Sequence, residues 1–406
     1  MLKEPLIVAG AGPVGLTIAD ILSAAGIPIR VLEKEASPSN EWRASTFHAG
    51  TLELLEPTGI TDELIKLGIK ARKVQYRDRE EGLFAEFDFD TIKDETKYPF
   101  RLQCPQSTYT YLVYERLLER DNVEFMFKAE VLDFEQDENG VTVYVQTSSG
   151  IKTMRTAYLL AADGGRSTIR KRLGVKFEGY TLPERFLLTS TNVDFTKFLP
   201  DIGMVNYISD PEEFLFVLKV PEAWRLLFPI PPEMSDEKAM DDENLQRTYQ
   251  RALKTDRRFP IIEHRIYRVH QRVCDRFYDG RVILMGDAAH LNSPMGGLGL
   301  NGGIHDAVDL SRRMLRILNG ETDPKAELDK YSEVRRSVYI EYIRQISERN
   351  TNVMRETNEE LRKKLQQEYA EQAADPEQHK AWVMRSAMIT SIREKGIGEP
   401  PTVSSR

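Results

Sequence analysis

Leu6-Ile7-Val8-Ala9-Gly10-Ala11-Gly12-Pro13-Val14-Gly15 lies near the start of the chain, and its reading decides the fold. The first four residues form a short apolar strand of the kind buried on both faces. The next six satisfy G-x-G-x-x-G, in which glycine permits a tight turn and close approach of backbone to a ligand. Leu16, Ile18, Ala19 and Leu22 then mark a helix, and Gly26 stands where a left-handed C-terminal cap belongs. A second apolar strand, Ile29 to Leu32, ends in Glu33, eighteen residues after Gly15, with Lys34 beside it. Strand, glycine loop, helix, strand and acid in this order predict a dinucleotide-binding βαβ unit. Gly10, Gly12, Pro13, Val14 and Gly15 would set a pyrophosphate on the helix N-terminus, and Glu33 would meet ribose hydroxyls. An acid at that place favours a free 2′-hydroxyl, hence FAD or NAD.

Two later stretches repeat the theme of a buried strand stopping at an acid and glycines. Tyr158 to Ala162 runs into Asp163-Gly164-Gly165-Arg166-Ser167-Thr168-Ile169-Arg170, where backbone and two arginines suit a phosphate. Val282 to Met285 runs into Gly286-Asp287-Ala288-Ala289-His290, and Pro294-Met295-Gly296-Gly297-Leu298-Gly299-Leu300-Asn301 then opens a helix. Unpaired amides and the positive end of the helix dipole make that opening a place for an anionic ligand. His290 reads as a structural residue holding the turn.

Composition bounds the alternatives. The chain has 406 residues, 41% hydrophobic and 30% charged, enough for two domains of an ordinary globular protein. A net charge of −8, from 56 basic and 64 acidic residues, argues against nucleic acid as partner. No run of eighteen apolar residues occurs, so no membrane span is expected, and no secretory signal is read at the N-terminus. Two cysteines, Cys104 and Cys274, make neither a disulfide framework nor a metal site, and a cytoplasmic setting is expected. Six scattered histidines lack metal-ligand spacing, so no metal is expected.

Between the motifs, a helix is predicted from Ser107 to about Arg120, a strand over Val123 to Phe134, a turn at Asp137 to Gly140 and a partner strand over Val141 to Val145. Residues 176–269 change character: aromatic residues from Phe177 to Phe228 stand among short strand-like pieces and prolines, fit either to wall an apolar pocket or simply to pack a core. Residues 76–99 are expected to add strands to that layer. From about Lys325 the pattern is helical, with a stripe of Tyr331, Val334, Val338, Tyr342 and Ile346 read as a structural cover or an oligomer contact, a homodimer in the simplest case. The chain is therefore expected to be an α/β (α+β) protein. A discontinuous Rossmann-like domain binding that dinucleotide, FAD or NAD (1–75, 100–175 and 270–325), would carry an inserted sheet-rich substrate domain (76–99 and 176–269) and a C-terminal helical region (326–406).

Three motifs standing in this order, Gly10–Gly15 with Glu33, Asp163-Gly164 with Arg166 and Ser167, and Gly286-Asp287 with Pro294 to Asn301, resemble those of the single-component FAD-dependent aromatic hydroxylases, the para-hydroxybenzoate hydroxylase family. The resemblance covers about residues 5–345. It implies that Gly10, Gly12, Gly15, Glu33, Arg43, Gln106, Asp287 and the loop through Gly297, Gly299, Leu300 and Asn301 bind FAD, with Asp287 on the ribityl chain and the backbone of Val131 beside adenine. Asp163 and Arg166 look like the family's second dinucleotide motif, serving FAD and the pyridine nucleotide. The family's helix after the glutamine usually carries Leu-Glu, whereas Tyr109-Thr110 stand here.

The resemblance also implies a reaction. NAD(P)H reduces the flavin, O2 adds to form a C4a-hydroperoxide, and a small aromatic substrate, phenolic or otherwise activated, is hydroxylated. Pro294 is expected on the face where oxygen reacts. His48 is the candidate base for the substrate, set against its reading as a helix-start or packing histidine. Tyr207 and Arg225 are further substrate candidates. A flavin halogenase is the nearest rival, but its W-x-W-x-I-P signature is not met by Trp224-Arg225-Leu226-Leu227-Phe228-Pro229. A non-oxygenating FAD oxidoreductase and a non-enzymatic FAD-binding protein complete the alternatives.

Overall fold

The computed structural model describes residues 4–40 and 44–399. The apolar strands read from the sequence assemble into one six-stranded sheet in the order Tyr278–Asp279, Val282–Leu284, Leu159–Ala161, Leu6–Ala9, Ile29–Glu33, Val123–Phe127. All its pairings are parallel except that of the two-residue edge strand Tyr278–Asp279. Helix Pro13–Ala24 packs against Leu298–Leu318, so the two glycine-loop helices lie together on one face. The central strands Leu6–Ala9, Leu159–Ala161 and Val282–Leu284 are wholly apolar because both faces are covered.

An eight-stranded sheet forms the second layer. Its order is His290–Leu291, Glu263–Cys274, Phe177–Thr191, Trp224–Ile230, Leu215–Lys219, Val205–Ser209, Lys73–Asp78, Gly82–Asp88. The early segment joins through a parallel pairing of Lys73–Asp78 with Val205–Ser209. Strand parity divides the aromatic residues. Tyr207, Phe214, Phe216 and Leu227 face the main core, whereas Phe195, Trp224, Phe228, Tyr249 and Phe259 fill a second core under helix Asp242–Leu253. Most aromatic side chains of the insertion thus pack a core, and only a subset faces the nucleotide-binding half.

The strand expected over Val123 to Phe134 is two strands. Val123–Phe127 belongs to the parallel sheet, and Glu130–Asp137 opens a separate antiparallel meander with Gly140–Thr147 and Gly150–Thr156. Lys128 breaks the run with a positive φ of 52°, and its amide and that of Ala129 donate to the carbonyls of Glu35 and Glu33. The broken strand therefore starts its second half beside Glu33.

The C-terminal helices wrap the junction of the layers. Pro324–Val338 continues through a π-helical stretch, Tyr339–Arg344, into Gln345–Arg355. Tyr331, Val338 and Tyr342 of the expected stripe are buried, and Tyr331 Oη donates to the Leu284 carbonyl at 2.9 Å. The buried part of the stripe covers this chain's own core, while Val334 and Ile346 are half-buried. Among the described residues no helix is long and apolar enough to cross a membrane.

Candidate functional site

Register places the three motifs side by side. Ala9 pairs with Ala161, Ala161 with Leu284, and Ala9 with Leu32, so Gly10, Asp163, Gly286 and Glu33 all leave the same carboxyl edge of adjacent strands. Ligands of open parallel sheets bind at this edge. A cavity of about 1020 Å³ lies elsewhere, a charged groove beside Tyr158 and Arg281 at the opposite ends of these strands.

Each glycine of the fingerprint has its own task. A Cβ on Gly10, whose φ is +107°, would lie 2.4 Å from the Ala162 carbonyl oxygen, and one on Gly15 would lie 2.0 Å from that of Gly10. A Cβ on Gly12 would meet nothing within 4 Å. Gly10 and Gly15 are thus required by the packing of the protein itself, while Gly12 leaves room over the start of helix Pro13–Ala24, which has no side-chain cap. Val14 locks this turn to the third motif, since a Cβ on Gly286 or Gly303 would come within 2.9 or 2.6 Å of its methyls. Glu33 Oε2 accepts from the Ala11 amide at 2.8 Å, which holds the carboxylate at the lip of the loop. Lys34 beside it is exposed.

In the second motif, Asp163 Oδ2 accepts from the Ile169 amide at 3.2 Å, while its Oδ1 is buried without a hydrogen-bond partner among the described residues. Burial pushes its pKa up. Arg166 is exposed. Arg170, the second arginine of the stretch, is buried and donates to the carbonyls of Gly165 at 2.8 Å and Ala288 at 3.1 Å, fastening this motif to the Gly286-Asp287 turn. Its partners are carbonyls across the sheet, which no local pattern announces.

Asp287 projects from the three-residue 3₁₀ turn Gly286–Ala288 and is exposed between buried neighbours. Behind it lies a buried ionic lock. Asp306 accepts from the Gly286 amide at 3.0 Å and from Arg335 Nε at 2.7 Å, and pairs with His290 Nε2 at 2.7 Å. Burial raises the Asp306 pKa, but His290 and Arg335 outweigh it and bring it to about 2. His290 thus holds the turn, as its place in the motif suggests.

Gly297, with φ +67°, caps helix Leu298–Leu318 without a side-chain bond, and its amide donates to the Pro294 carbonyl at 3.0 Å. Gly299 packs on Asn292, 2.9 Å from where a Cβ would stand, and Leu300 is buried. Asn301 is wholly buried and donates to the carbonyls of Thr46 and Gly297 at 2.8 and 2.6 Å.

His48 lies against this loop. It is fully buried, and its Nε2 stands 2.9 Å from the Gly296 carbonyl. A carbonyl only accepts, so Nε2 carries the proton and Nδ1 is a bare acceptor, with no partner among the described residues. Burial first, and then the charge of Arg101, hold its pKa well below the usual imidazole range. Both effects favour the neutral form of the ring.

Arg101 reaches His48 through a small sheet, Thr46–Phe47, Arg101–Gln103 and Ile69–Ala71. The pairing Thr46↔Gln103 and Phe47↔Leu102 carries His48 opposite Arg101 on one face. Arg101 is 1% exposed and donates to Tyr207 Oη at 3.4 Å and Ser386 Oγ at 2.5 Å. Tyr207 stacks between Tyr76 (4.8 Å) and Phe216 (4.6 Å), forming an aromatic wall beside the arginine. Arg225 lies on the same face of the large sheet, buried, with Glu263 3.9 Å away. Arg101, absent from the residues singled out by sequence, is brought in by register alone.

Gln106 starts helix Gln106–Leu118 at the edge of the site, its amide bonded to the Ala44 carbonyl. Tyr109, where the family's usual pattern is not met, is buried with its hydroxyl 2.7 Å from Thr17 Oγ1. That departure joins two helices and leaves the motif edge untouched. Val131 pairs with Val145 two residues beyond the contact to Glu33. Arg43 lies outside the described residues.

These features fit a flavin dinucleotide: an open Gly12, two helix starts without side-chain caps, a carboxylate at the lip of the first loop and an exposed acid between them. The family described as the FAD binding domain matches residues 3–346, and the chain belongs to it. Among curated proteins it is 32% identical over 360 residues to para-nitrophenol 4-monooxygenase of Pseudomonas sp. strain WBC-3, covering 87% of this chain and 88% of the relative. It is 30% identical to 6-hydroxy-3-succinoylpyridine 3-monooxygenase of Pseudomonas putida, covering 84% and 86%. The crystal structure of p-nitrophenol 4-monooxygenase from Pseudomonas putida DLL-E4 superposes with a TM-score of 0.91 at 29% identity, over 96% of this chain and 98% of that one. The chain is an FAD-dependent aromatic hydroxylase, with the NAD(P)H requirement typical of that family, and the halogenase and plain flavin-binding readings fall away.

Proposed function

We propose that this protein uses NAD(P)H and O2 to hydroxylate a small, acidic phenol, a nitrophenol or a compound of similar charge and size. The observation that carries the reading is the face of Thr46, His48, Arg101 and Gln103, buried and polar, set between the Gly296-Gly297 loop and the Tyr76–Tyr207–Phe216 stack. A neutral arene would leave those polar groups unsatisfied.

Bound FAD supplies reducing equivalents and oxygen activation; the chain supplies position, charge and dryness. Gly10, Gly12, Pro13, Val14 and Gly15 take the pyrophosphate at the helix start, Glu33 with Lys34 the ribose, Val131 and Gln106 the flanks, and Asp163 with Arg166 the outer rim. Asp287 takes the ribityl chain beside Gly286. The loop of Pro294, Gly297, Gly299, Leu300 and Asn301 aims helix amides at the flavin ring, and Pro294 shapes the reacting face. Arg43 is assigned to the pyrophosphate on family resemblance alone.

His48 Nδ1 accepts a hydrogen bond from the substrate hydroxyl, orienting it. Because its pKa is depressed, it serves as a director of the proton more than as its resting place. Tyr207, whose two faces are covered by Tyr76 and Phe216, turns its edge and hydroxyl toward the substrate beside Arg101, and Arg225 closes the far end of the same face. The two free, buried cysteines agree with a cytoplasmic setting. Two copies would associate through surfaces other than the buried part of the Tyr331 stripe.

A screen of phenols, hydroxybenzoates and hydroxypyridines for acceleration of NAD(P)H oxidation tests the reading. Acidic phenols should accelerate most, with one oxygen atom from labelled O2 in the product. Unstimulated oxidation across the panel would overturn it.

A further inference from the structure

Among the described residues, the three largest side chains under 2% exposed are arginines: Arg101, Arg225 and Arg335. Arg225 faces Glu263 at 3.9 Å and Arg335 faces Asp306 at 2.7 Å. Arg101 has no carboxylate within 4.0 Å among the described residues. Its partners are two hydroxyls, and its Nε has none. A buried guanidinium without a counter-charge is costly unless an anion joins it. Two further buried polar atoms on the same small sheet lack partners, His48 Nδ1 and Gln103 Nε2.

Ser386 and Asn350 separate this cluster from a cavity of about 350 Å³. Ser386 accepts from Arg101, and Asn350 Oδ1 accepts from Tyr76 Oη at 2.8 Å. The cavity is also lined by Arg349 and Arg385, which among the described residues again bond only to uncharged groups: Gln372 for the first, the Glu341 carbonyl and Gln345 for the second. A chain of net charge −8 thus keeps three carboxylate-free arginines in sequence from the cavity wall to the aromatic wall.

We infer that Arg101 is the charge partner of the substrate and selects phenols that bind as the phenolate anion, and that the cavity beside Arg349 and Arg385 is their way in. This rests on the hydroxylase reading above. The phenol's proton leaves to water, and the guanidinium supplies two or more charge-assisted hydrogen bonds to the phenolate oxygen or to an acidic substituent. The titratable groups that interact with Arg101 are His48, Tyr76 and Tyr207, none of them a carboxylate. Before ionisation the hydroxyl donates to His48 Nδ1, and the neutral imidazole adds no charge that would cancel the positive field of Arg101.

The test titrates 4-nitrophenol into the FAD-loaded enzyme without NAD(P)H, reading the coloured phenolate band against pH. In the wild type the bound phenol should ionise about one to two units below the free ligand. Arg101→Gln should raise the bound value by about one unit or more and weaken binding near pH 7 about tenfold. Arg101→Lys should restore most of the phenolate preference, and 4-nitroanisole, which cannot ionise, should bind both variants alike. Arg349→Gln and Arg385→Gln should slow association and flatten its salt dependence without changing the bound ionisation. Wild-type titration in Arg101→Gln, or loss of phenolate preference in a flavin-loaded Arg101→Lys should the glutamine variant not fold, overturns the assignment. Unchanged association in both outer variants overturns the route. Failure of the wild type to bind any phenol instead strikes the hydroxylase reading.

Discussion

The amide of His48 donates to Asn301 Oδ1 at 2.9 Å, joining residues 253 positions apart. The same carboxamide oxygen accepts from Thr51 Oγ1 at 2.6 Å, and its nitrogen bonds Thr46 and Gly297. One buried side chain therefore fixes the glycine loop against the segment that carries His48. Asn301→Ala leaves several of these groups unsatisfied and should destabilise the protein by about 3 kcal/mol. A thermal melt of the flavin-free protein checks this; an unchanged midpoint would show that the loop is held by other means.

Gly12 and Gly15 should separate folding from binding. Gly15→Ala drives a Cβ into the Gly10 carbonyl, 2.0 Å away, and should give little folded protein. Gly12→Ala meets nothing in the protein itself, at a φ of −79° that alanine adopts freely. It should melt within about 0.5 kcal/mol of wild type yet hold FAD at least about tenfold more weakly. Equal flavin affinity in Gly12→Ala would place the pyrophosphate elsewhere.

Acid sensitivity should come from two buried histidines. His48 and His305 both have pKa values lowered by burial from 6.5, His305 to about 3. Each is neutral in the fold and would take a proton when unfolded. Their stabilising effect is complete above about 6.5 and is lost as pH falls toward the folded values. Melting temperatures should fall progressively below pH 6.5, and His305→Gln should flatten that slope. A wild-type curve independent of pH between about 6.5 and 4 would refute the assignment.

The ionic lock at Asp306 should be intolerant of partial removal. Asp306→Ala leaves Arg335 buried without its carboxylate and the Gly286 amide without an acceptor, and should cost about 3–5 kcal/mol. Asp306→Asn, which keeps acceptor capacity but removes the charge, should fall between. Both are read by chemical denaturation of the flavin-free chain.

The motifs were legible because each is local: a strand end, glycines and an acid within ten residues state their own chemistry. Their convergence followed from buried parallel strands, whose carboxyl ends must share an edge. Arg101 was not legible, because its position opposite His48 depends on the register of a three-stranded sheet linking residues 46 and 103. Nor could the aromatic residues be sorted, since a one-residue shift of strand parity exchanges Tyr207 for Ile208 between the two cores. The break at Lys128 was hidden because a lysine gives no local sign of positive φ. His48 was visible as a candidate, but its burial and its bond to Gly296 were tertiary facts.

The edge shared by Gly10, Asp163 and Gly286 should hold FAD with Asp287 on the ribityl chain. Equilibrium binding of FAD to Asp287→Ala tests it most directly. The variant should melt close to wild type without flavin but bind FAD at least about tenfold more weakly and purify largely colourless. An Asp287→Ala protein that purifies fully yellow and active would contradict it.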